Sequence, residues 1–233
     1  MIKNKFLNYL MESPSIYYIY DRGSIIYNLQ QLNPDTAFLI ICDQNFQIPE
    51  EFEKYVIETK NTLDYHPNII YDNCRFIFRV KEYWFNAILN CDIEAWECSC
   101  LPKKFIYKEY IKLPITVNSL YIREKCELES KLGEVTAKKH FLRCNYYEGK
   151  KVLWAIIKTY AFANQIIENH KITDFKEVND IYNKLVLNDS IDDDLIFKYY
   201  FDFLRPYKEK LEILTNDVLR RSKLKKIIQN ERK

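Results

Sequence analysis

The spacing of apolar residues changes near residue 114, and this change limits the folds that the chain can adopt. Before that point, apolar runs of strand length alternate with segments of helical pattern. Beyond it, apolar residues recur every three or four positions, as Leu153, Ile156 and Tyr160 do, which is typical of amphipathic helices. We therefore expect an α/β fold of the α+β kind, with a small mixed sheet in residues 1–114 followed by a helical domain in residues 115–233.

The elements of the first half follow from short patterns and their breakers. The predicted strands cover 16–20, 36–42, 68–71, 75–80 and 93–100, and the predicted helices cover 3–11, 24–31, 49–60 and 82–90. Residues 102–114 are basic and aromatic and begin and end with proline, so we expect a hinge or a domain boundary near there.

Composition excludes several classes of protein and partner. Only 3 glycines occur in 233 residues, which excludes folds built on repeated glycine loops. The 35 basic and 33 acidic side chains nearly cancel, so any binding of nucleic acid or other anions must come from local patches. The sequence begins without the pattern of a secretory signal and contains no apolar stretch of membrane-spanning length. We expect a cytoplasmic protein with no membrane partner, and nothing in the sequence indicates its oligomeric state.

The most informative segment runs from Ile16 to Asp43. A predicted strand leads into Gly23-Ser24, ten residues then separate Ser24 from Asp35, and a second strong strand follows at once. A glycine lets the backbone approach a phosphate closely, and a serine at a helix start can donate to phosphate oxygens. A carboxylate at the start of the next strand could hold the divalent ion that bridges those phosphates. The pattern predicts a small cradle for a nucleoside triphosphate.

The segment resembles the signature of the DNA polymerase β-like nucleotidyltransferase superfamily. That signature is Gly-Ser, a spacer of about ten residues and two acids at alternate positions of a strand. Gly23, Ser24 and Asp35 match it, but Ala37 stands where the second acid belongs. Side chains at positions 35 and 37 of one strand point the same way, so two acids there could share two magnesium ions. A third acid on a neighbouring strand usually completes such a site.

The alanine at position 37 has two explanations. Either an Asp→Ala substitution has been introduced to inactivate an enzyme, or the chain is a natural pseudoenzyme. The residues around it, Asn33-Pro34-Asp35-Thr36 and Phe38 to Ile41, keep the expected pattern, and on that ground we favour the introduced substitution. In either case the loss of a ligand shared by both metals predicts a chain that is nearly inert as it stands.

Two later segments resemble the bacterial and phage branch of the superfamily that is associated with RNA repair. The segment from Val80 is similar to a helix, turn and strand of that branch, which implies an acid at Glu97; Asp72, which precedes the strand at 75–80, is the other candidate for the third metal ligand. The segment from Tyr146 is similar to a helix that faces the nucleotide. The resemblance implies that this helix contributes four nucleotide-binding side chains: Lys150, Lys151, Trp154 and Lys158.

The resemblance implies a transferase that uses two Mg²⁺ ions and a nucleoside triphosphate such as ATP. Asp35, the acid missing at position 37 and Glu97 would hold the metals. An acceptor hydroxyl, at an RNA end or on a protein, would receive the nucleoside monophosphate as pyrophosphate leaves. Two alternatives stay open: a catalytically silent regulator that binds nucleotide or RNA, and an enzyme that nucleotidylates protein hydroxyls, as toxin-neutralising members of the superfamily do.

Overall fold

The computed structural model describes residues 4–22, 24–27, 29, 36–57, 68–111, 117–188, 190–191 and 195–231, without the side chains of residues 24, 25 and 221–231. The chain divides into two units. The first contains residues 1–90 and 98–115, and the second contains residues 91–97 and 116–233. Among the described residues, no helix combines the length and the apolar character needed to cross a membrane.

The first unit is built on a five-stranded mixed sheet. Its strands are β1 (Ile16–Asp21), β2 (Thr36–Cys42), β3 (Ile69–Tyr71), β4 (Cys74–Val80) and β5 (Ile106–Glu109), in the spatial order β3-β4-β2-β1-β5. β2 runs antiparallel to β1 and parallel to β4. β3 and β4 form a hairpin whose two turn residues, Asp72 and Asn73, both have positive φ, as a tight hairpin turn of the primed type requires.

One face of the sheet carries the core of this unit. The side chains of Ile19, Phe38, Ile40, Phe76 and Phe78 point to this face, and helix α1 (Lys5–Glu12) and the short helix α2 (Glu50–Glu53) cover it. The buried residues of α1 lie on one side because they are spaced three or four apart, and the Asn4 carboxamide oxygen caps the helix by accepting a hydrogen bond from the Leu7 amide.

The opposite face of the sheet is covered only in part. Helix α3 (Lys81–Leu89) packs against β2 and β4, and the Trp84 ring lies 6.0 Å from the ring of Tyr20. Leu39 and Ile41, further along β2, are buried on this face. At the start of the strands, by contrast, Ala37 is half-buried and Arg75 is exposed. Among the described residues of this unit, this face is therefore open at one end of the sheet.

The second unit is helical. It contains α5 (Ser119–Leu142), α6 (Tyr146–Asn169), α7 (Asn179–Leu185) and α8 (Ile196–Glu231), and the segment 91–97 supplies most of α4 (Ile93–Ser99). Helices α5 and α6 begin at asparagine caps, Asn118 and Asn145, whose side chains accept from the first free amides. The Tyr200 hydroxyl donates to Glu134 Oε1 at 3.0 Å and joins α8 to α5.

The predicted fold class, a small mixed sheet followed by helices, is confirmed. The prediction of a strand at 93–100 is wrong, because this segment is helix α4. The Asp92 carboxylate accepts a hydrogen bond from the Ala95 amide and so caps the helix. In the sequence, the apolar residues of the segment favoured a strand and outweighed this capping signal. The segment 102–114, near which a hinge or a domain boundary was expected, contains a 3₁₀ helix, Lys103–Phe105, and the edge strand β5. The first unit ends just after this segment, at residue 115.

We expect Phe6→Ala to destabilise the first unit by about 3–5 kcal/mol, because Phe6 is fully buried and its ring lies 4.4 Å from that of Phe52 and 4.9 Å from that of Phe76. Urea unfolding monitored by far-UV circular dichroism measures the loss. Met11→Ala is the matched control, since Met11 is exposed on the same helix and its loss should change stability little. Equal effects of the two variants would contradict the observed core.

Candidate functional site

Three strand ends meet where the phosphate cradle was predicted. The connection between β1 and β2 leaves β1 after Arg22 and enters β2 at Thr36, and β4 begins beside Thr36, which is paired with Cys74. Gly23, the side chain of Ser24 and Asp35 lie outside the described residues, so their part in a phosphate site stays a prediction. The backbone of Ser24 begins a 3₁₀ helix, Ser24–Tyr27, where a longer helix was expected.

Ala37 lies between two arginines of the neighbouring strands. The Arg22 amide donates a hydrogen bond of 2.6 Å to the Ala37 carbonyl oxygen, which extends the antiparallel register of β1 and β2 by one residue. On the other side, Ala37 is the register partner of Arg75 in the parallel pair of β2 and β4. The backbone therefore places an arginine on each side of the position where the resemblance expects an acid.

Side chains 22, 37 and 75 project from the same face of the sheet. Phe38 and Phe76 point into the core, so Ala37 and Arg75, which precede them, point to the other face. Arg22 points to this other face as well. Its Nη1 atom donates to Cys98 Sγ at 4.0 Å, and Cys98 also acts electrostatically on Tyr20, whose side chain lies on that face. The three side chains share the face that is open at this end.

The described residues at this end of the sheet do not form a two-magnesium centre. β4 contains no acid, and the single acid of β1, Asp21, is buried on the core side, where its charge adds to the effect of burial in raising the pKa of Tyr107. Asp72 is exposed in the hairpin turn that leads into β4. Within the described part of the chain, no three histidine, cysteine or acidic side chains lie close enough together to hold a metal ion.

Glu97 belongs to helix α4, and its carboxylate is held by a lysine of the same unit. Lys158 Nζ donates to Glu97 Oε2 at 3.1 Å and to Oε1 at 3.3 Å, and both side chains are buried, with 4% of Glu97 and 13% of Lys158 exposed. The Lys158 ammonium also lies over the rings of Trp154 and Phe162, at 5.7 and 5.6 Å. Both carboxylate oxygens that a metal would need are thus bound by a cation.

The other predicted nucleotide-binding residues of α6 also make contacts within the second unit. Lys150 is buried and donates to the Asn188 carbonyl oxygen at 3.0 Å. Lys151 forms an ion pair with Glu148 at 3.3 Å. The Trp154 indole nitrogen donates to the Val178 carbonyl oxygen at 3.1 Å, and its ring packs edge-on against Tyr182. Their role in nucleotide binding stays a prediction, but each of these contacts stabilises the helical unit.

Sequence reasoning missed Arg22 and Arg75. Arg22 directly precedes the Gly-Ser pair, and Arg75 occupies a polar position in the alternating strand Cys74–Val80. The alternation alone could have assigned Arg75 to the face opposite the core. Its position beside Ala37 depends on strand order and register, which local sequence does not specify.

Glu129, in the helical unit, interacts electrostatically with two other acids, Asp92 and Glu94. Burial, together with the Asp92 and Glu94 carboxylates, raises the pKa of Glu129 to about 7. The Lys125 ammonium and the Thr159 hydroxyl, which donates to Glu129 Oε2 at 3.4 Å, act in the opposite direction. Glu129 is therefore an acid that loses its proton near neutral pH.

Comparisons with known proteins identify no family for the chain. A scan of protein-family models finds no match, and a search of curated proteins finds none either. One of the solved structures that match is the crystal structure of a nucleotidyltransferase-like protein from Exiguobacterium sibiricum 255-15. The similarity covers 92% of this chain and 76% of that chain, with 12% sequence identity and a TM-score of 0.33.

We expect Lys158→Met to destabilise the protein by about 3–5 kcal/mol, because it leaves the buried Glu97 carboxylate without its partner. Lys151→Met is the matched control on the same helix: its ion pair with Glu148 is more exposed, and its loss should cost about 1 kcal/mol or less. The double variant Glu97→Met/Lys158→Met should recover much of the stability. Equal stability of the two single variants in urea would contradict a structural role for the pair.

We expect Glu129→Gln to stabilise the protein at pH 8 by about 1–3 kcal/mol. The unfolded state loses this proton near pH 4.5 and the folded state near pH 7, so the unfolded state binds fewer protons in between. The glutamate's contribution to the free energy of unfolding therefore falls as pH rises from about 4.5 to 7 and stays low above that. Urea midpoints between pH 4.5 and 8 measure this slope, which Glu129→Gln should reduce and the exposed control Glu124→Gln should not. An unchanged slope in Glu129→Gln would contradict the assignment.

Proposed function

We propose that this chain is a nucleotide-binding protein of the polymerase β-like nucleotidyltransferase type that does not transfer nucleotides by two-metal catalysis. Its ligand is a nucleoside triphosphate, held at the open end of the sheet in the first unit. The role that follows is regulatory: the chain senses or sequesters the nucleotide and leaves its phosphates intact.

The observation that carries this proposal is the environment of Ala37. The Gly-Ser and Asp35 matches support a phosphate ligand, and the strand ends that flank them meet at one end of the sheet. A two-metal reaction needs several carboxylates converging on the same point. The strands beside Ala37 contribute Arg22 and Arg75 to this face instead, and Glu97 is held by Lys158.

A second candidate function is supported by the intact sequence around Ala37. If the alanine replaces a catalytic acid and nothing else has been lost, the parent protein is a transferase that attaches a nucleoside monophosphate to an RNA end or a protein hydroxyl. Asp35 and the exposed Asp72 are then its remaining metal ligands in the first unit. RNA repair is the pathway that the sequence resemblance supports for this candidate.

Restoring the acid at position 37 separates the two functions. The chain and its Ala37→Asp variant are incubated with α-labelled nucleoside triphosphates, Mg²⁺ or Mn²⁺, and either RNA or protein acceptors, and nucleotide binding is measured in parallel by calorimetry. We expect binding to the unmodified chain and no label transfer by either protein, because Arg22 and Arg75 would neutralise a new carboxylate between them. Ala37→Asn is the control of equal size without charge.

The outcomes distinguish the two functions from each other and from an absence of nucleotide binding. Transfer of label to RNA or to protein by Ala37→Asp would contradict the silent role and identify the acceptor. Failure of the unmodified chain to bind any nucleoside triphosphate would contradict nucleotide binding itself. Binding without transfer in both proteins is the result that supports the proposal.

A further inference from the structure

We propose that the outer face of helix α5 binds the same face of a second copy of this chain, with the two α5 helices in antiparallel orientation. The outer face is the side of the helix that points away from the rest of the helical unit. The proposal assigns a partner to this exposed face, and it is independent of the nucleotide site proposed above.

The first support is the position of the exposed apolar side chains on α5. The buried residues of the helix, which include Ile122, Cys126 and Ala137, lie on the side that contacts α6 and α8. Successive residues of an α-helix are about 100° apart, so the opposite side carries a continuous row of apolar residues. Each of them is more than half exposed, and the row consists of Tyr121, Leu128, Leu132, Val135 and Leu142.

The spacing of this row is typical of two helices that pack along their length. Tyr121, Leu128, Val135 and Leu142 repeat every seven residues, and Leu132 lies between the two central members. A helix face that meets only water normally carries polar residues. Single exposed apolar residues need no explanation, but a continuous patch of them indicates an interaction site.

The second support is that the row is complementary to itself in antiparallel orientation. A register that places Leu128 opposite Val135 of the second copy also places Tyr121 opposite Leu142, because both pairs are centred between residues 131 and 132. Leu132 then lies close to the two-fold axis, where it meets its own equivalent. Since a two-fold axis repeats every contact, one register brings all five apolar residues of each copy into the interface.

The third support is the charge complementarity of this register. Glu124 and Lys139 are exposed on the same face, one in each half of the helix, and the register places Glu124 of one copy opposite Lys139 of the other. The two-fold axis creates this pair of opposite charges twice. A parallel arrangement would instead place each of the two residues opposite its own equivalent, so like charges would meet. The charges therefore favour the antiparallel pair.

The size of the face predicts a weak dimer. Helix α5 has 24 residues and is therefore about 36 Å long, and with a width of about 10–12 Å its outer face has a footprint of roughly 400 Å². A patch of this size is within the range that marks interaction sites on soluble proteins. It is smaller than the roughly 800 Å² that each partner buries in a standard stable interface. We therefore expect a reversible dimer with a micromolar or weaker dissociation constant.

Sedimentation velocity of the full chain, from the low micromolar to the submillimolar range, tests whether two copies associate. We expect a reversible equilibrium between monomer and dimer. Leu132→Glu should raise the dissociation constant at least tenfold, because two glutamates would face each other near the two-fold axis. Ile213→Glu is the matched control: Ile213 is also 61% exposed in the same unit, but it lies on α8 and its replacement should leave the association unchanged.

Charge reversal and crosslinking test the antiparallel register. Glu124→Lys should weaken the association several-fold, and the addition of Lys139→Glu should restore it, because the pairs return with their signs exchanged. Crosslinking uses the Cys144→Ser background, which removes an exposed native cysteine. Under mild oxidation, Leu132→Cys should form a disulfide with its own equivalent. Leu142→Cys should not, because the two equivalents lie about 30 Å apart in an antiparallel pair.

Three results would overturn the proposal. A chain that stays monomeric over the whole concentration range would exclude the dimer. Association that Leu132→Glu weakens no more than Ile213→Glu would exclude the outer face of α5 as the interface. A disulfide between two copies of Leu142→Cys, or a double charge reversal that does not restore association, would exclude the antiparallel register. Because the substituted side chains are exposed, the thermal stability of each variant should match that of the parent chain, which separates a lost interface from a lost fold.

Discussion

The pairing of β2 with its two neighbours is the constraint on which the candidate site depends. Antiparallel pairing with β1 places Arg22 beside Ala37, and parallel pairing with β4 places Arg75 on its other side. A shift of one residue in either register would turn an arginine toward the core, where Phe38, Phe76 and Phe78 are packed. The buried aromatic residues on one face therefore fix the charged residues on the other.

The sequence predicts the local elements of the sheet well and its long-range arrangement poorly. The apolar run Thr36–Cys42 is strong enough to identify a buried strand from its own residues. Nothing within Cys74–Val80 shows that this strand lies parallel to β2, because that choice depends on the connection between the two strands and on the packing against both faces of the sheet. The strand predicted at 93–100 was wrong for another reason. A short apolar run has no clear period, and the Asp92 cap was the more informative signal for the helix Ile93–Ser99.

The charged residues of the helical unit show the limit of carrying roles over by resemblance. Lys158 and Glu97 were both expected at a nucleotide and metal site, and they form a buried ion pair with each other. A buried carboxylate is stable in its charged form only with a partner, so the pair explains both residues without a ligand. The same reasoning applies to Lys150, whose buried ammonium donates to a backbone carbonyl oxygen. A charge in a recognised segment therefore indicates function only after its partner within the fold is known.

The charges around Ala37 distinguish two meanings of the missing acid. An acid between Arg22 and Arg75 would bind both guanidinium groups, and the open end of the face would then offer little attraction to a phosphate. With alanine in that position, no acid of β2 lies between the two arginines. In an enzyme that keeps its metals the loss of one acid weakens catalysis and leaves an acidic pocket. In this chain the residues that flank Ala37 on its two sides are arginines and not acids, and this difference is the reason that the proposed function excludes two-metal transfer.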